Sequence, residues 1–369
     1  MTSISKKKSE SSSIPPENGE IRKDIGTGKH VFILGAGFSN AISDEMPTMK
    51  KLGKLVLDRY DKKESLSSFQ VDQIKSNFES AITDMAIEKP WMSEADRLCQ
   101  HAVFLELAKV IALCIRERME DAVTSFAKEV PDWIKVLIRF WHDHECLILT
   151  LNYDTLVECL IKEVTSQEGT TNGVSLASLY PMLLTPAPHR IGAVLFPDQK
   201  RTLQLLKLHG SINWFYSGRR EFSGETIYYT ETIPGPNEIW RRDEGSEARQ
   251  MEMVKDKTPL IIPPVLEKST FFENESIRSL WFRSGRALSE AERITSLGYS
   301  LPESDFTMKS LLQYAGQNCG RKIGFEIVDK VPGKHKHFED VLQIRDMNFC
   351  QEFSGDDAIR DYVLDRLVG

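Results

Sequence analysis

The chain has 369 residues, 41% of them hydrophobic and 27% charged, with a formal net charge of -7 at pH 7. That is enough chain to bury a sizeable core as one large domain or two unequal ones, with the composition of a soluble globular protein. The acidic balance excludes a generally basic nucleic-acid surface, yet it is compatible with an anionic ligand, because helix N-termini bind phosphate without lysines.

The six cysteines, Cys99, Cys114, Cys146, Cys159, Cys319 and Cys350, form no C-x-x-C pair. Their spacing fits neither a zinc ribbon nor a dense disulfide framework, so reduced thiols are expected. Residues 1–28 are polar, with Lys6-Lys7-Lys8, a serine run and Pro15-Pro16. They read as a flexible arm and lack the apolar core of a secretion signal. No uncharged apolar run reaches the ~18 residues of a membrane span. The expectation is a cytoplasmic protein with no membrane partner.

In chain order, His30-Val31-Phe32-Ile33-Leu34 reads as a buried strand running into Gly35-Ala36-Gly37-Phe38-Ser39, a glycine turn that opens a helix. Glycines there let the backbone approach a pyrophosphate, and the following helix points N–H groups at the negative charge. Alone the motif is a weak signal, since Asn40 stands where the usual dinucleotide fingerprint has its third glycine. From about 50 to 145 the pattern is almost wholly helical. Phe69, Val71, Ile74, Phe78, Ile82 and Met85 share one apolar periodicity ending near Pro90; a second helix covers 94–128, and Trp133 to Trp141 form a third apolar face.

Cys146 to Leu151 is a continuously apolar strand closed by Asn152-Tyr153-Asp154, with a helix from Thr155 to Val164. Residues 165–202 read as loop with a knot at Thr185-Pro186-Ala187-Pro188, and Thr202 to Leu208 form the strand that delivers His209. Residues 212–258, with Trp214-Phe215-Tyr216 and Ile227-Tyr228-Tyr229, read as a small β-rich insertion followed by a charged loop; those aromatics are read as packing rather than as a base-stacking platform. The core resumes at Pro259-Leu260-Ile261-Ile262-Pro263-Pro264. A helix over 275–291, a strand from Arg293 to Leu297, the turn Gly298-Tyr299-Ser300, a helix from Asp305 to Tyr314 and a strand from Lys322 to Val328 follow. A charged tail after Pro332 ends in a short helix, Asp356 to Leu367. The strand–helix alternation implies α/β architecture: a Rossmann-like parallel sheet over 29–330, with a large helical insertion at 50–145, a small β-rich insertion at 212–258, and the tail at 331–369.

Polar residues follow the strand ends in order: Ser39, Asn152 with Asp154, His209, and Ser300 with Asp305, while Asp329 follows the last strand. Side chains at the carboxyl ends of parallel strands converge on the crevice there, which points to chemistry on a dinucleotide, with Asp329 suited to ribose hydroxyls. Plainer readings stand beside this one. Asn152 and Asp154 suit the cap of the helix at Thr155, Ser300 and Asp305 the cap of the next, and a His-Gly pair can be only a turn. His142-Asp143-His144-Glu145-Cys146, and His335 and His337 with Glu339 and Asp340, carry ligand types without a convincing further ligand, so no metal is expected.

Taken together, Gly35-Ala36-Gly37-Phe38-Ser39, Thr150-Leu151-Asn152-Tyr153-Asp154, Leu208-His209-Gly210-Ser211, Ile261-Ile262-Pro263-Pro264 and the stretch from Gly298 to Asp305 resemble the sirtuin-like domains of bacterial anti-phage defence systems, over roughly residues 30–330. The chain departs from the protein-deacylase branch. That branch carries two cysteine pairs for structural zinc after its His-Gly motif, and residues 212–258 hold no cysteine. It carries Gln where this chain has Leu151, and of its Ile-Pro-Asp-Phe-Arg stretch Met46-Pro47-Thr48-Met49-Lys50 keeps only the proline.

The resemblance implies NAD as substrate and an NAD glycohydrolase that releases nicotinamide and ADP-ribose. Asn152 would orient a water and His209 would act as base, its unperturbed pKa lying near 6.5. Gly35, Ala36, Gly37, Phe38, Ser39, Asp154, Gly298, Ser300 and Asp329 would hold the cofactor, with Ser300 on the adenosine side. Unregulated NAD hydrolysis would poison its host, so a trigger is expected through a homo-oligomer or a separately encoded defence partner, such as a DNA-translocating ATPase or a short Argonaute. A zinc-free NAD-dependent protein deacylase and a non-catalytic module sensing NAD or ADP-ribose are the alternatives; a DNA-acting subunit would need a basic groove.

Overall fold

The computed structural model describes residues 29–60, 65–87, 89–125, 130–166, 174–181, 184–191, 201–219, 221, 223–231, 244–263, 269–319, 323–343 and 347–368. The arm expected at 1–28 lies outside them. The strands are β1 (His30–Leu34), β2 (Leu147–Thr150), β3 (Thr185–Pro186), β4 (Gln204–Lys207), β5 (Gly210–Tyr216), β6 (Tyr228–Tyr229), β7 (Thr258–Ile261), β8 (Arg293–Leu297), β9 (Ile323–Asp329) and β10 (Met347–Ser354). The helices before β2 are α1 (Ala36–Ile42), α2 (Met49–Arg59), α3 (Ser68–Ser76), α4 (Phe78–Ala86), α5 (Glu94–Ser125) and α6 (Asp132–Asp143). After it come α7 (Leu156–Ser166), α8 (Leu176–Leu179), α9 (Glu244–Met253), α10 (Ser269–Phe272), α11 (Glu275–Ser289), α12 (Phe306–Asn318), α13 (His335–Leu342) and α14 (Ala358–Arg366).

The larger sheet is six-stranded and parallel, in the order β10-β9-β8-β1-β2-β4. The central strand β1 is an unbroken apolar run from Val31 to Leu34 because helices cover both faces of the sheet. Phe32, Ile33 and Leu34 are fully buried, each such side chain contributing about 1.5–3 kcal/mol by leaving water. The chain steps outward from β1 through β2 to β4, then returns to β8 on the other side of β1. That reversal is the Rossmann-like switch point, and it opens a crevice beyond the carboxyl ends of β1 and β8.

The helical stretch after α1 is present, with one difference. The periodicity from Phe69 to Met85 is broken into α3 and α4 at Asn77, whose N–H closes α3 on Gln73 and whose Oδ1 accepts from Ser80 N at 3.1 Å. A side chain that caps a helix start competes with helix continuation, and here it wins. Phe69, counted in the apolar face, is 65% exposed. The long helix α5 is, by length and composition, apolar enough to cross a bilayer; its Leu107, Ile111, Ile115 and Met119 are buried, and it packs on α2, α4, β5 and β7.

The smaller sheet has the order β3-β6-β5-β7. Two expectations change here. The apolar run at Pro259–Ile262 does not rejoin the parallel sheet; β7 pairs antiparallel with β5, Ser211 facing Leu260. The knot at Thr185-Pro186 is not loop either, since β3 pairs with Tyr228-Tyr229 of β6. Both proline-bearing strands lie at the edges of this sheet, where a missing N–H leaves no ladder bond unmade. The charged stretch expected as loop forms α9 over its later half, and Pro264 lies outside the described residues. Trp214 is fully buried edge-on to Tyr180, with centroids 5.3 Å apart.

The segment at 331–369 is also more than a tail with a short helix. It supplies α13, β10 and α14, and β10 pairs in parallel with β9, from Cys350 opposite Phe325 to Ser354 opposite Asp329. An edge strand is covered less fully than a central one, so its residues Asn348, Gln351 and Glu352 hid it from an apolar-run reading. Tyr362 and Val363 of α14 are fully buried.

Candidate functional site

A cavity of about 410 Å³ lies over the switch point. Five of the parallel strands send residues into it: Gly35, Ala36, Gly37 and Ser39 after β1, Asn152 and Asp154 after β2, His209 after β4, Gly298, Ser300 and Asp305 after β8, and Asp329 at the end of β9. The helical stretch adds a wall, with Met46 to Lys50 ahead of and into α2, Glu79 from α4, and Ile115 from α5.

The turns after β1 and β8 are pressed together. Gly298 has φ +61, and a Cβ there would stand 2.2 Å from Phe38 N. Gly37 N donates to Gly298 O at 2.9 Å, and Gly35 N to Leu297 O at 3.2 Å. Phe38 N turns back on Gly35 O at 2.9 Å. The first amides of α1 are therefore largely spent within the protein, contrary to the expectation that they all point at a ligand; the Ala36 N–H keeps no backbone partner among the described residues. The Phe38 side chain also differs from expectation. Its ring packs into the core 5.7 Å from Trp141 and does not line the cavity.

Asn152 is held by both hydrogens of its amide, which donate to Gly35 O and Ser39 Oγ, each at 2.9 Å. Gly35 O can only accept, so the amide orientation is fixed. The Asn152 Oδ1 is left as an acceptor without a protein partner among the described residues. Ser39 in turn donates to Asp154 Oδ2 at 2.6 Å, while Asp154 Oδ1 takes the Leu156 N–H at 3.1 Å and caps α7. Asp154 does the capping, and Asn152 is freed from it.

Beneath this loop lies a residue the sequence reading passed over. Lys207, embedded in the apolar run of β4, is 1% exposed; its Nζ donates to the Asp154 carbonyl and, at 2.9 Å, to Glu158 Oε1, equally buried on α7. Tyr180 OH also donates to Glu158 Oε1, at 2.9 Å. A lysine interrupting an otherwise apolar strand is a usable signal, since a buried ammonium requires a partner. Lys50, exposed at the start of α2, is a second lysine at the site. Among the described residues it is the one Lys or Arg lining a cavity that also holds Glu79, Asp154, Asp305 and Asp329.

His209 is buried, with Nε2 3.6 Å from Asp305 Oδ2 and its ring 6.4 Å from Tyr153 and 6.5 Å from Trp281. Its carbonyl accepts from Ile262 N at 2.8 Å, which ties the turn to the end of β7. Asp305 receives Tyr299 OH at 3.0 Å and caps α12 through Met308 N at 3.2 Å. Ser304, next to it, donates to Glu79 Oε2 at 2.7 Å. Burial pushes the Glu79 carboxyl above its ordinary value, opposed by the Ser304 bond and reinforced by the Asp305 charge. Burial likewise drives the Tyr153 and Tyr299 hydroxyls well up, so both remain protonated donors. Ser300 is exposed at the mouth, and Asp329 is buried with Oδ1 accepting from Val331 N at 2.9 Å.

Among the described residues no group of three or more His, Cys, Asp or Glu is placed to hold a metal ion. His335, from one of the stretches with ligand types, instead pairs with Glu352 at 2.6 Å.

No protein-family model matches the chain, and no curated protein does. Solved structures similar to it include a sirtuin studied for the structural basis of substrate affinity, 14% identical, covering 94% of this chain and 93% of that chain with a TM-score of 0.40. Another is Sir2 with a p53 peptide and NAD+, 12% identical, covering 94% and 92%, TM-score 0.38. A third is Sir2 with the inhibitor EX-527, 2'-O-acetyl-ADP-ribose and a deacetylated p53 peptide, 12% identical, covering 91% of each chain, TM-score 0.38.

Proposed function

We propose that the chain hydrolyses NAD to nicotinamide and ADP-ribose. The observation that carries this reading is that Asn152 and His209, from the ends of different strands, line one cavity over the switch point together with the Gly35–Gly37 turn. The crevice at that point is where open α/β sheets take nucleotides. The dinucleotide's pyrophosphate would lie by the Ala36 N–H and Lys50, and Asp329 would accept from ribose hydroxyls.

The leaving group is a cationic ring, so its departure puts oxocarbenium character on the ribose. The C1′–N bond breaks with its electron pair going to the ring nitrogen, water forms the new C1′–O bond, and a proton must leave that water. Asn152 offers one oriented acceptor, Oδ1, since its two N–H groups are committed to Gly35 and Ser39. That acceptor fixes one hydrogen of the attacking water, and His209 takes the other as base. The buried Asp305 carboxylate beside His209 would stabilise the imidazolium that results.

A deacylase would need an apolar channel for an acyl chain beside His209. Glu79 and Asp305 occupy that end of the cavity, and carboxyls are costly neighbours for an alkyl chain. This favours hydrolysis over deacylation. As an NAD-depleting effector of anti-phage defence the protein would act under a trigger, through a homo-oligomer or a separate defence partner.

The test is nicotinamide release from NAD by the purified chain, with and without an acetylated peptide. Release without peptide, lost in Asn152→Ala and in His209→Ala, supports hydrolysis. Release that requires peptide and yields acetylated ADP-ribose would replace this reading with deacylation. NAD binding with no release, in the isolated chain and in its assemblies alike, would leave a sensing module.

A further inference from the structure

The helical stretch between β1 and β2 reaches the cavity with two ionisable side chains, Lys50 of α2 and Glu79 of α4, and Glu79 is the acidic one. Its carboxyl accepts from Ser304, and the next residue, Asp305, stands 3.6 Å from His209. Asp305 is fixed on two sides by Tyr299 OH and the Met308 N–H. The other titratable groups lining the cavity are Lys50 at the start of α2, Tyr153, Asp154, Tyr299 and Asp329, whose Oδ1 takes the Val331 N–H. Tyr153 and Tyr299 stay protonated because both are buried and both face these two carboxyls. Lys207, two residues before His209, is spent on Glu158 and the Asp154 carbonyl, and Asp154 on Ser39 and Leu156.

We propose that Glu79 and Asp305 form a coupled carboxyl pair that sets the protonation of His209, with Asp305 its direct partner and Glu79 a positioning residue acting through Asp305. The inference rests on the reading of His209 as the base. Two neighbouring carboxyls in a half-buried space lose their protons in two separate steps, the second at higher pH than the first. Asp305, with its two donors, takes the charge first, and Glu79 keeps its proton to higher pH than an ordinary glutamate. While Glu79 is neutral, one negative charge faces His209. Once Glu79 ionises, a second charge holds the proton on the imidazole more firmly. The helical wall would thereby tune the base as well as close the cavity.

The experiment is an NMR titration of the full-length chain carrying isotope-labelled histidine, with the His209 resonance assigned by its loss in His209→Gln. Asp305→Asn is expected to lower the His209 midpoint by about one pH unit or more, the usual effect of removing an adjacent opposite charge. Glu79→Gln keeps an acceptor for Ser304 and removes only the charge; it is expected to lower the midpoint by a smaller amount, with a less than additive effect when combined with Asp305→Asn. An unmoved midpoint in Glu79→Gln overturns the pair, and if Asp305→Asn loses its helix cap and unfolds, Glu79→Gln alone decides. No NAD is used in this readout. A shifted midpoint in a chain that never cleaves NAD would sink the hydrolase and leave the pair standing, whereas cleavage with an unmoved midpoint would do the reverse. In an active protein the acid limb of kcat/KM moves to lower pH in Glu79→Gln, along with the midpoint.

Discussion

The two ends of the parallel sheet carry cavities of different kinds. At the amino ends of β1, β2 and β4 lies the larger one, about 620 Å³, lined by Lys29, His30, Arg283, Arg286 and Glu290. Its charges answer one another: Lys29 and Arg286 both engage Glu290, and Arg283 donates to Pro181 O and Gln204 Oε1. His30 lies against Phe32, ring centroids 4.0 Å apart, and burial holds its pKa well below the ordinary value, so it stays neutral. At the carboxyl ends the cavity is smaller, yet its polar groups are held in place and still offer Asn152 Oδ1 and the Ala36 N–H to an occupant. Volume does not distinguish the two; the direction in which the hydrogen-bonding capacity is left open does.

The strongest way to break that contrast is to cut the support beneath the carboxyl end. Lys207→Met leaves Glu158 as an uncompensated buried charge and releases the Asp154 carbonyl. Loss of one partner of a buried ion pair costs about 3–5 kcal/mol, and the expected outcome is a large fall in the denaturation midpoint. A Lys207→Met chain as stable as the parent would mean that the network does not hold the Asn152 loop. Next in size is Asn152→Ala, expected to lower the rate of NAD cleavage by about 10²–10³, as loss of a preorganised hydrogen-bonding group does. Arg286→Ala at the opposite cavity is the matched control and is expected to leave that rate unchanged. Equal losses from both substitutions would erase the distinction between the ends. Smaller again is Lys50→Ala, expected to weaken NAD binding by about 1.5–3 kcal/mol if the lysine hydrogen-bonds the pyrophosphate, measurable by calorimetry on a variant already silenced at His209.

Much of the carboxyl end could be read in the sequence. The turn at Gly35, the polar residues at 152–154, His209 and the turn at Gly298 each follow an apolar run, and parallel strands bring such ends together whatever separates them in the chain. What escaped reading depended on partners distant in sequence. Glu79 looks like any helix-surface glutamate until Ser304, 225 residues away, is seen to bond it. Phe38 sits inside the motif, but the ring lies across from Trp141 and belongs to the core. Strand β10 escapes an apolar-run reading because it lies at an edge, and the apolar content of 259–262 marks a core strand without saying which neighbour β7 will pair with.

The amino end of the sheet yields the smallest effect, and a pH-dependent one. Glu290 is held at about 2, below its ordinary 4.5, first by the Arg286 hydrogen bond and then by that of Lys29. A carboxyl depressed in the folded state binds fewer protons there than in the unfolded chain. Its contribution is therefore fully present above about pH 4.5 and lost as the pH falls towards 2. Both cations are solvent-exposed, so salt screens the attraction. Glu290→Gln is expected to leave the melting temperature at pH 7 nearly unchanged and to flatten its decline between pH 4.5 and 2 at low ionic strength. That flattening would disappear in 1 M salt. A steep loss of stability at neutral pH would instead show that the amino-end cavity depends on Glu290 as the carboxyl end depends on Lys207, and the two ends would then differ in chemistry alone.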